Sequence, residues 1–462
     1  MGQHACGMLQ VMKTKTILPG PKSGCVTVPA SKSWAHRMLI TAALSTCPSK
    51  IICDGISNDI SATIKCLNAM GAQITMSEQD GSEITTITVH PVIKRVDHHA
   101  KNTLYAHLFC GESGSTLRFL IPIAGALGIN SRFHMEGRLS ERPLEALTDV
   151  LSAHGMSFRK DGQYLYCTGQ LENGDYEIPG NISSQYISGL LMALPIIHGN
   201  STLTVTGTIE SGDYINMTVK AIEEAGIVIA RENQAYNIEG KQKYNVPDSL
   251  IVEKDWSSAA FPLCMGAFSE EGVTVTGLNL ESVQGDKEIV NILEGFGADI
   301  CIKNGFQKEF CLKEYRDEII DKEKTFGNLV DILVKKANLK GQVIDASRIP
   351  DLVPVISVVA AGAEGETRII HAERLRIKES DRLATTTAML KALGADIEET
   401  EDGLLIRGKA ELLGGTVDSF NDHRIAMSAA VAAGICKESV TVNGAECTNK
   451  SFPRFWDMLD KL

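Results

Sequence analysis

The sequence predicts an α/β protein assembled from six similar modules, and three observations carry that expectation. An amphipathic helix that ends in a glycine and runs into a short β-type segment recurs at residues 67–74, 151–156, 222–227, 292–300 and 390–397. The glycines of these copies, at 71, 155, 226, 297 and 394, lie 84, 71, 71 and 97 residues apart. The chain ends 68 residues after the last of them, on a further amphipathic segment at 455–462, where the helix of a sixth copy would fall. Between the helices are short β-branched runs bounded by turn residues, at 201–206, 272–276, 367–370 and 439–442.

The glycine has a physical role, because it takes the left-handed conformation that closes a helix C-terminus with no Cβ penalty. Helix–glycine–strand is common in α/β proteins, but near-equal spacing with matched helix lengths marks a repeat, with units of about 70 residues. No Pro/Ser-rich linker divides the chain. Two lobes of three units would join through short crossovers near residues 29–33 and 252–255. Residues 317–338 can be read as a helix or as a loose insertion.

Composition narrows the function. Apolar residues make up 44% of the 462 and charged residues 22%, which is ordinary for a globular protein of several domains. The net charge of -12 and the 5% aromatic content disfavour nucleic acid and anionic membranes, both of which favour a basic face. The twelve cysteines contain no C-x-x-C pair and no Cys/His cluster with ligand spacing, so reduced thiols and no metal are expected. Residues 1–10 lack a signal-peptide core, and the longest apolar stretches, such as 119–129, are about half of the ~20 residues a membrane span needs. A soluble, cytoplasmic protein follows. Its basic residues must be concentrated in a cleft if it binds anions.

Several patches place such residues at helix starts, where free N–H groups and the positive dipole end favour anions. Residues 29–37, with Ser31, Lys32, Ser33 and Arg37, lead into a helix expected at 38–44. The spacing is not that of a phosphate-binding P-loop. Residues 110–118, with Gly114 and Arg118, open a helix expected at 119–127. Arg142 stands before Pro143, which suits a first helical turn. Ser183, Ser184 and Gln185 precede an apolar helix. The densest patch, Arg-Ile-Lys-Glu-Ser-Asp-Arg at 376–382, carries five charges of both signs between a strand at 367–370 and a helix at 383–393. Asp422, His423 and Arg424 open a small-residue helix, and Lys450 follows a strand. Asp255 and Asp351 sit in loops as bases or caps. Each patch alone also reads as a capped, solvated helix start.

In order from Pro29 to Pro453, these patches resemble the 5-enolpyruvylshikimate-3-phosphate synthase family of enolpyruvyl transferases. The most specific pieces are 376–382, Asp422-His423-Arg424, Ser183-Ser184-Gln185 and Lys-Ser-Phe-Pro at 450–453. The resemblance implies a two-lobed inside-out α/β barrel of six βαβαββ repeats, three per lobe, with the active site in the interlobe cleft. Residues 1–31 and 254–462 would form one lobe and 32–253 the other. It implies a monomer that moves the enolpyruvyl group of phosphoenolpyruvate to the 5-hydroxyl of shikimate 3-phosphate, with no metal or cofactor and only these small molecules as partners.

Carried over by position, shikimate 3-phosphate would meet Lys32, Ser33, Arg37, Ser183, Ser184, Gln185, Ser211, Tyr214, Asp351 and Lys378. Phosphoenolpyruvate would meet Lys32, Gly114, Arg142, Gln185, Arg382, Arg424 and Lys450. Asp351 would be the base, with Lys378 on the same hydroxyl; Glu379 or Lys32 would be the acid, and His423 would assist. The chain departs from the family pattern at Glu112 and Arg374, both at family Asn positions, at His36 for Asn, and at Ala30 for Gly. Two rival readings remain open. One is the sister transferase acting on UDP-N-acetylglucosamine, which carries a reactive Cys in a loop near the Arg118 region, a context Cys110 lacks. The other is a non-catalytic anion-binding protein on the same repeat.

Overall fold

Residues 13–78, 84–92, 105–304, 309–312 and 329–462 are described by this computed structural model. The reading of residues 1–10 lies outside them. Among the described residues the β-branched runs form six small sheets, and all six share one plan. A parallel pair comes first and an antiparallel partner follows. Thus Ala106–Gly111 pairs parallel with Ser131–Met135, which pairs antiparallel with Tyr164–Gly169, itself antiparallel to Met156–Asp161. Asp175–Pro179 and Val343–Asp345 begin two further sheets of this kind.

Three sheets are completed by strands from distant parts of the chain. Ser249–Ile251 supplies the parallel edge beside Ser49–Asp54, and Gly24–Val26 does so beside Val273–Asn279. Thr14–Ile17 closes the last sheet, antiparallel to Val440–Asn443. Each of the first two strands precedes in sequence a helix that packs elsewhere, so the chain crosses between two bodies twice. The crossings lie side by side: Ser31 N–H donates to Glu253 O at 2.7 Å and Asp255 N–H to Pro29 O at 2.9 Å.

Two separate hydrophobic cores result. One gathers Ile17, Val26 and Val28 with residues from Trp256 to Leu459, and the other runs from Ala30 to Val252. Each contains three helices that are buried nearly all round, as helices apolar on every face must be. They are Lys32–Leu44, Gly114–Leu127 and Ser184–Ala193 in one core, and Trp256–Gly266, Val353–Gly362 and His423–Ala432 in the other. Outside them lie further helices, among them Asn58–Ala69, Glu145–Ser152, Gly212–Glu224, Ile289–Phe296 and Arg382–Ala392.

The repeated glycines end these five outer helices. Their φ values are +108° at Gly71, +91° at Gly155, +79° at Gly226, +95° at Gly297 and +90° at Gly394. The sixth outer helix is Phe455–Leu459. Some boundaries differ from the sequence reading. Two buried helices start at Lys32 and Gly114, because Ser31 and Ser113 cap them and weak helix formers fill the first turn. Pro143 precedes the helix Glu145–Ser152 instead of opening it. Within 317–338, Leu329–Lys335 is a strand whose alternate residues are buried, and 317–328 lies outside the described residues.

Substituting the repeat glycines separates conformational from steric cost. Gly155→Ala would put a Cβ 2.4 Å from the Gln170 carbonyl oxygen, whereas at Gly71 the nearest atom is a Val92 methyl at 3.7 Å. Gly71→Ala is expected to cost about 1 kcal/mol through its left-handed backbone alone, and Gly155→Ala distinctly more. Thermal denaturation of the two variants checks the order.

Candidate active site

The six buried helices direct their N-terminal turns at one cavity. Its walls include Lys32, Ser33 and Arg37; Gly114, Ser115 and Arg118; Ser183, Ser184 and Gln185; Ser257 and Ser258; Asp351; and His423 and Arg424. Small polar caps make these turns. Ser31, Ser113, Ser183, Asp255 and Asp422 each accept a hydrogen bond from a backbone N–H in the turn they open. The cavity therefore faces six positive dipole ends as well as its basic side chains.

At its centre Arg382 is 1% exposed and fully engaged. Nε donates to Asp422 at 2.8 Å, Nη1 to Asp351 at 2.7 Å and Nη2 to Glu379 at 2.8 Å. Asp351 also accepts from Arg424 Nη2 at 3.0 Å and from the Tyr214 hydroxyl at 3.1 Å, with Lys378 Nζ at 3.9 Å. Arg142 stands 3.6 Å from Glu379. Gly114 makes room for this group, since a Cβ there would lie 3.0 Å from Arg142 Nη1 and 3.1 Å from Arg118 Nη1.

Every site residue expected from the sequence lines this cavity except Lys450, whose neighbour Ser451 does. Lys450 pairs with Glu112 at 2.8 Å. Lys32 pairs with Asp59 at 3.1 Å. Arg37 is held by Thr218, the Ser33 carbonyl and the Tyr214 carbonyl at 2.7, 2.7 and 2.8 Å. Gln185 joins two helices, accepting from Arg118 at 2.7 Å and donating to Ser115 at 2.9 Å. Ser211 adopts a left-handed φ of +53°, and its hydroxyl accepts from Arg374 at 3.2 Å. Arg374 also pairs with Glu210 at 3.0 Å.

Charge states follow from these contacts. Burial pushes the Asp351 carboxyl up, but Arg424, Lys378 and Arg382 overcome it and hold it well below the usual range. Glu379 is likewise held low against burial by Arg382 and Arg142. It stands here as a carboxylate, so as an acid it must first gain a proton. Burial drives Lys378 down to about 8 despite Asp351. Burial also drives His423 down to about 3; neither ring nitrogen has a hydrogen-bond partner, and Asp422 Oδ1 stands 3.8 Å from Nδ1. His423, to which the sequence reading gave an assisting part, lines the cavity, and burial favours its neutral form. In the Asp422-His423-Arg424 triplet it is Asp422 that orients Arg382.

Sequence reasoning missed Asp59 and Asp286. Asp59 sits in the first turn of Asn58–Ala69 and looks like an ordinary dipole-complementing acid. Asp286, buried in a 3₁₀ turn, accepts from Ser257 Oγ, which also accepts from Arg424 at 3.3 Å. Nothing in its Gln-Gly-Asp context distinguishes it from a turn residue. Among the described residues no group of three His, Cys, Asp or Glu side chains is placed to hold a metal ion, and no helix is long and apolar enough to cross a membrane.

Two α/β bodies with a cationic cleft at their helix N-termini define a site for small anionic ligands. The sequence description of EPSP synthase (3-phosphoshikimate 1-carboxyvinyltransferase) matches residues 18–459, and the chain belongs to that family. It is 41% identical over 457 residues to the 3-phosphoshikimate 1-carboxyvinyltransferase of Clostridium acetobutylicum, covering 98% of this chain and 97% of the relative. The Clostridium beijerinckii enzyme of that name is also 41% identical, over 451 residues and 96% of each chain. An EPSP synthase structure from Acinetobacter baumannii superposes with a TM-score of 0.75 at 27% identity, over 98% of both chains. The enolpyruvyl transferase NikO from Streptomyces tendae, at 17% identity and a TM-score of 0.70 over 98% of both chains, shares the fold.

Replacing Arg382 tests the network. Arg382→Met leaves Asp422 and Asp351 without their buried cation and is expected to cost about 3–5 kcal/mol, read by urea denaturation. The pH dependence has a defined sign. The folded-state pKa values of Asp351, Glu379 and Asp422 are depressed, so the stability they contribute is complete above the unfolded carboxyl range, about 4. It is lost as pH falls from there toward the lower folded values. In Arg382→Met those folded values rise, and acid unfolding begins at higher pH than in the wild type.

Proposed function

We propose that this chain transfers the enolpyruvyl group of phosphoenolpyruvate to the 5-hydroxyl of shikimate 3-phosphate and releases phosphate, acting as a cytoplasmic monomer whose two lobes, 1–31 with 254–462 and 32–253, close on the substrates. The observation that carries this reading is the convergence of six helix N-termini and the cations Lys32, Arg142, Lys378, Arg382 and Arg424 on one enclosed cavity in a protein of net charge -12. Both substrates are polyanions, and that cavity complements them.

Ser183, Ser184 and Ser211 receive the phosphate of shikimate 3-phosphate, with Arg374 beside Ser211 as an added cation. Ser33 and Arg37 meet its carboxylate, and Gln185 and Tyr214 its ring. Lys32, Arg142, Arg382, Arg424 and Lys450 clamp phosphoenolpyruvate, with Gly114 leaving space for it. Asp351 takes the 5-hydroxyl proton, and Lys378 steadies that oxygen. Glu379 or Lys32 protonates the methylene carbon, and elimination of phosphate completes transfer. Proton transfer of this kind contributes about 10²–10⁴-fold; orientation and electrostatics in the closed cleft supply the remainder. The rival acting on a nucleotide sugar relies on a reactive thiol. Here Cys110 is buried, and burial beside Cys66 pushes its pKa well up, which suppresses thiolate chemistry.

The deciding assay is phosphate release from phosphoenolpyruvate with shikimate 3-phosphate or UDP-N-acetylglucosamine as acceptor. Release with shikimate 3-phosphate alone, abolished in Asp351→Ala, is expected; release only with the nucleotide sugar, or with neither, overturns the reading. The pH profile is a second test. Lys378 acts as a cation, so kcat/KM should fall as pH rises through about 8, and Lys378→Arg, which stays charged, should remove that limb from whatever activity remains.

A further inference from the structure

One carboxylate at the cleft edge has no part in the proposed chemistry. Glu112 follows the strand Ala106–Gly111 of one core, yet its partners come from the other. Its Oε2 accepts from Lys450 Nζ at 2.8 Å, and Asn421 Nδ2 donates to its two oxygens at 2.9 and 3.2 Å.

The surroundings are shaped to seat it. Lys450 ends the 3₁₀ turn Ala445–Lys450, which fixes the root of its side chain. Phe420 and Asn421 both hold left-handed backbone, with φ of +52° and +54°. Asparagine tolerates that conformation and phenylalanine rarely adopts it, so the turn is held by its context. Gly137, at φ +52°, leaves the space the carboxylate fills; a Cβ there would lie 2.5 Å from Glu112 Oε1. Both cores therefore contribute to one socket.

We propose that Glu112 is a positioning residue that draws the two bodies together at the phosphoenolpyruvate end of the cleft and fixes Lys450 against that substrate. This rests on the function proposed above, in which Lys450 binds phosphoenolpyruvate. The physical reason is competition for one ammonium group. Lys450 also feels Glu379 and Asp59, which line the cavity. Without Glu112 it relaxes toward them and its charge is neutralised where the substrate anion should meet it. The opposite wall is fastened independently, by Arg348 paired with Asp213 at 2.8 Å and by Arg374 with Glu210, so loss of Glu112 acts on one end of the cleft.

The test is steady-state kinetics for both substrates with wild type, Glu112→Ala, Glu112→Gln and Asn421→Gly, alongside thermal midpoints. Glu112→Ala should raise the phosphoenolpyruvate KM roughly tenfold, the scale of one charge-assisted contact. The KM for shikimate 3-phosphate and the thermal midpoint should stay near wild type. Glu112→Gln keeps one acceptor for Lys450 and should fall between. Asn421→Gly, which suits the left-handed backbone, should shift the same KM in the same direction. An unchanged or lower phosphoenolpyruvate KM in Glu112→Ala overturns the proposal, as does an equal rise in both KM values with a fallen midpoint. Wild-type protein inactive on shikimate 3-phosphate would instead overturn the function, and this inference with it.

Discussion

The cleft depends on Arg382 and the three carboxylates around it. Six helix N-termini and a set of buried cations repel one another, and a folded chain must offset that repulsion before any substrate arrives. Burying ions is costly unless their hydrogen bonds are complete. For Arg382 they are: each nitrogen of its guanidinium meets a carboxylate within 2.8 Å. The three acids come from different segments: the turn Pro350–Leu352, the loop before Arg382–Ala392, and the cap of His423–Ala432. The network forms only when that core is assembled, which ties the site to the packing beneath it.

The packing in turn explains why the site lies where it does. A helix such as Val353–Gly362 has no polar face, so sheets and outer helices must wrap it, and only its ends can reach polar surroundings. In both cores the N-terminal ends are the ones that reach the cleft. Exchange of the strands Gly24–Val26 and Ser249–Ile251 between the bodies places the two chain crossings together beside the buried caps Ser31 and Asp255. Away from these crossings the two bodies also meet through ion pairs and hydrogen bonds, such as Arg348 with Asp213 and the Tyr214 hydroxyl with Asp351.

Much of this was legible in the sequence, and the reasons are local. The helix-closing glycines at 71, 155, 226, 297 and 394 announce themselves because left-handed backbone demands them, and they marked the repeat correctly. Polar caps beside Lys32, Gly114, Ser183 and Arg424 pointed to the cleft because their chemistry is compressed into a few consecutive residues. What stayed hidden depends on distance along the chain. Asp59 and Asp286 look like any first-turn acid until Lys32 and Ser257 are placed against them. The pairing of Asp422 with Arg382 was not legible either, because a buried arginine's partner is visible only in space. Helix starts were set too late at Lys32 and Gly114, where small polar residues conceal the first turn.

On the proposed reaction, the same charge balance couples binding to chemistry. Asp351 and Glu379 are weak bases in this structure because Arg382, Arg424 and Arg142 stabilise their ionised forms. A phosphoenolpyruvate anion in the clamp draws those guanidinium groups toward itself. Each carboxylate then loses favourable charge while burial, which opposes ionisation, persists, so both become more basic. Asp351 gains the strength to take a hydroxyl proton, and Glu379 gains the capacity to hold one for delivery. The substrate thus adjusts the proton affinities that its own conversion requires. A cleft without phosphoenolpyruvate keeps the arginines paired with protein and the carboxylates weakly basic. Order of events is then built into electrostatics, with no need for a separate gating group.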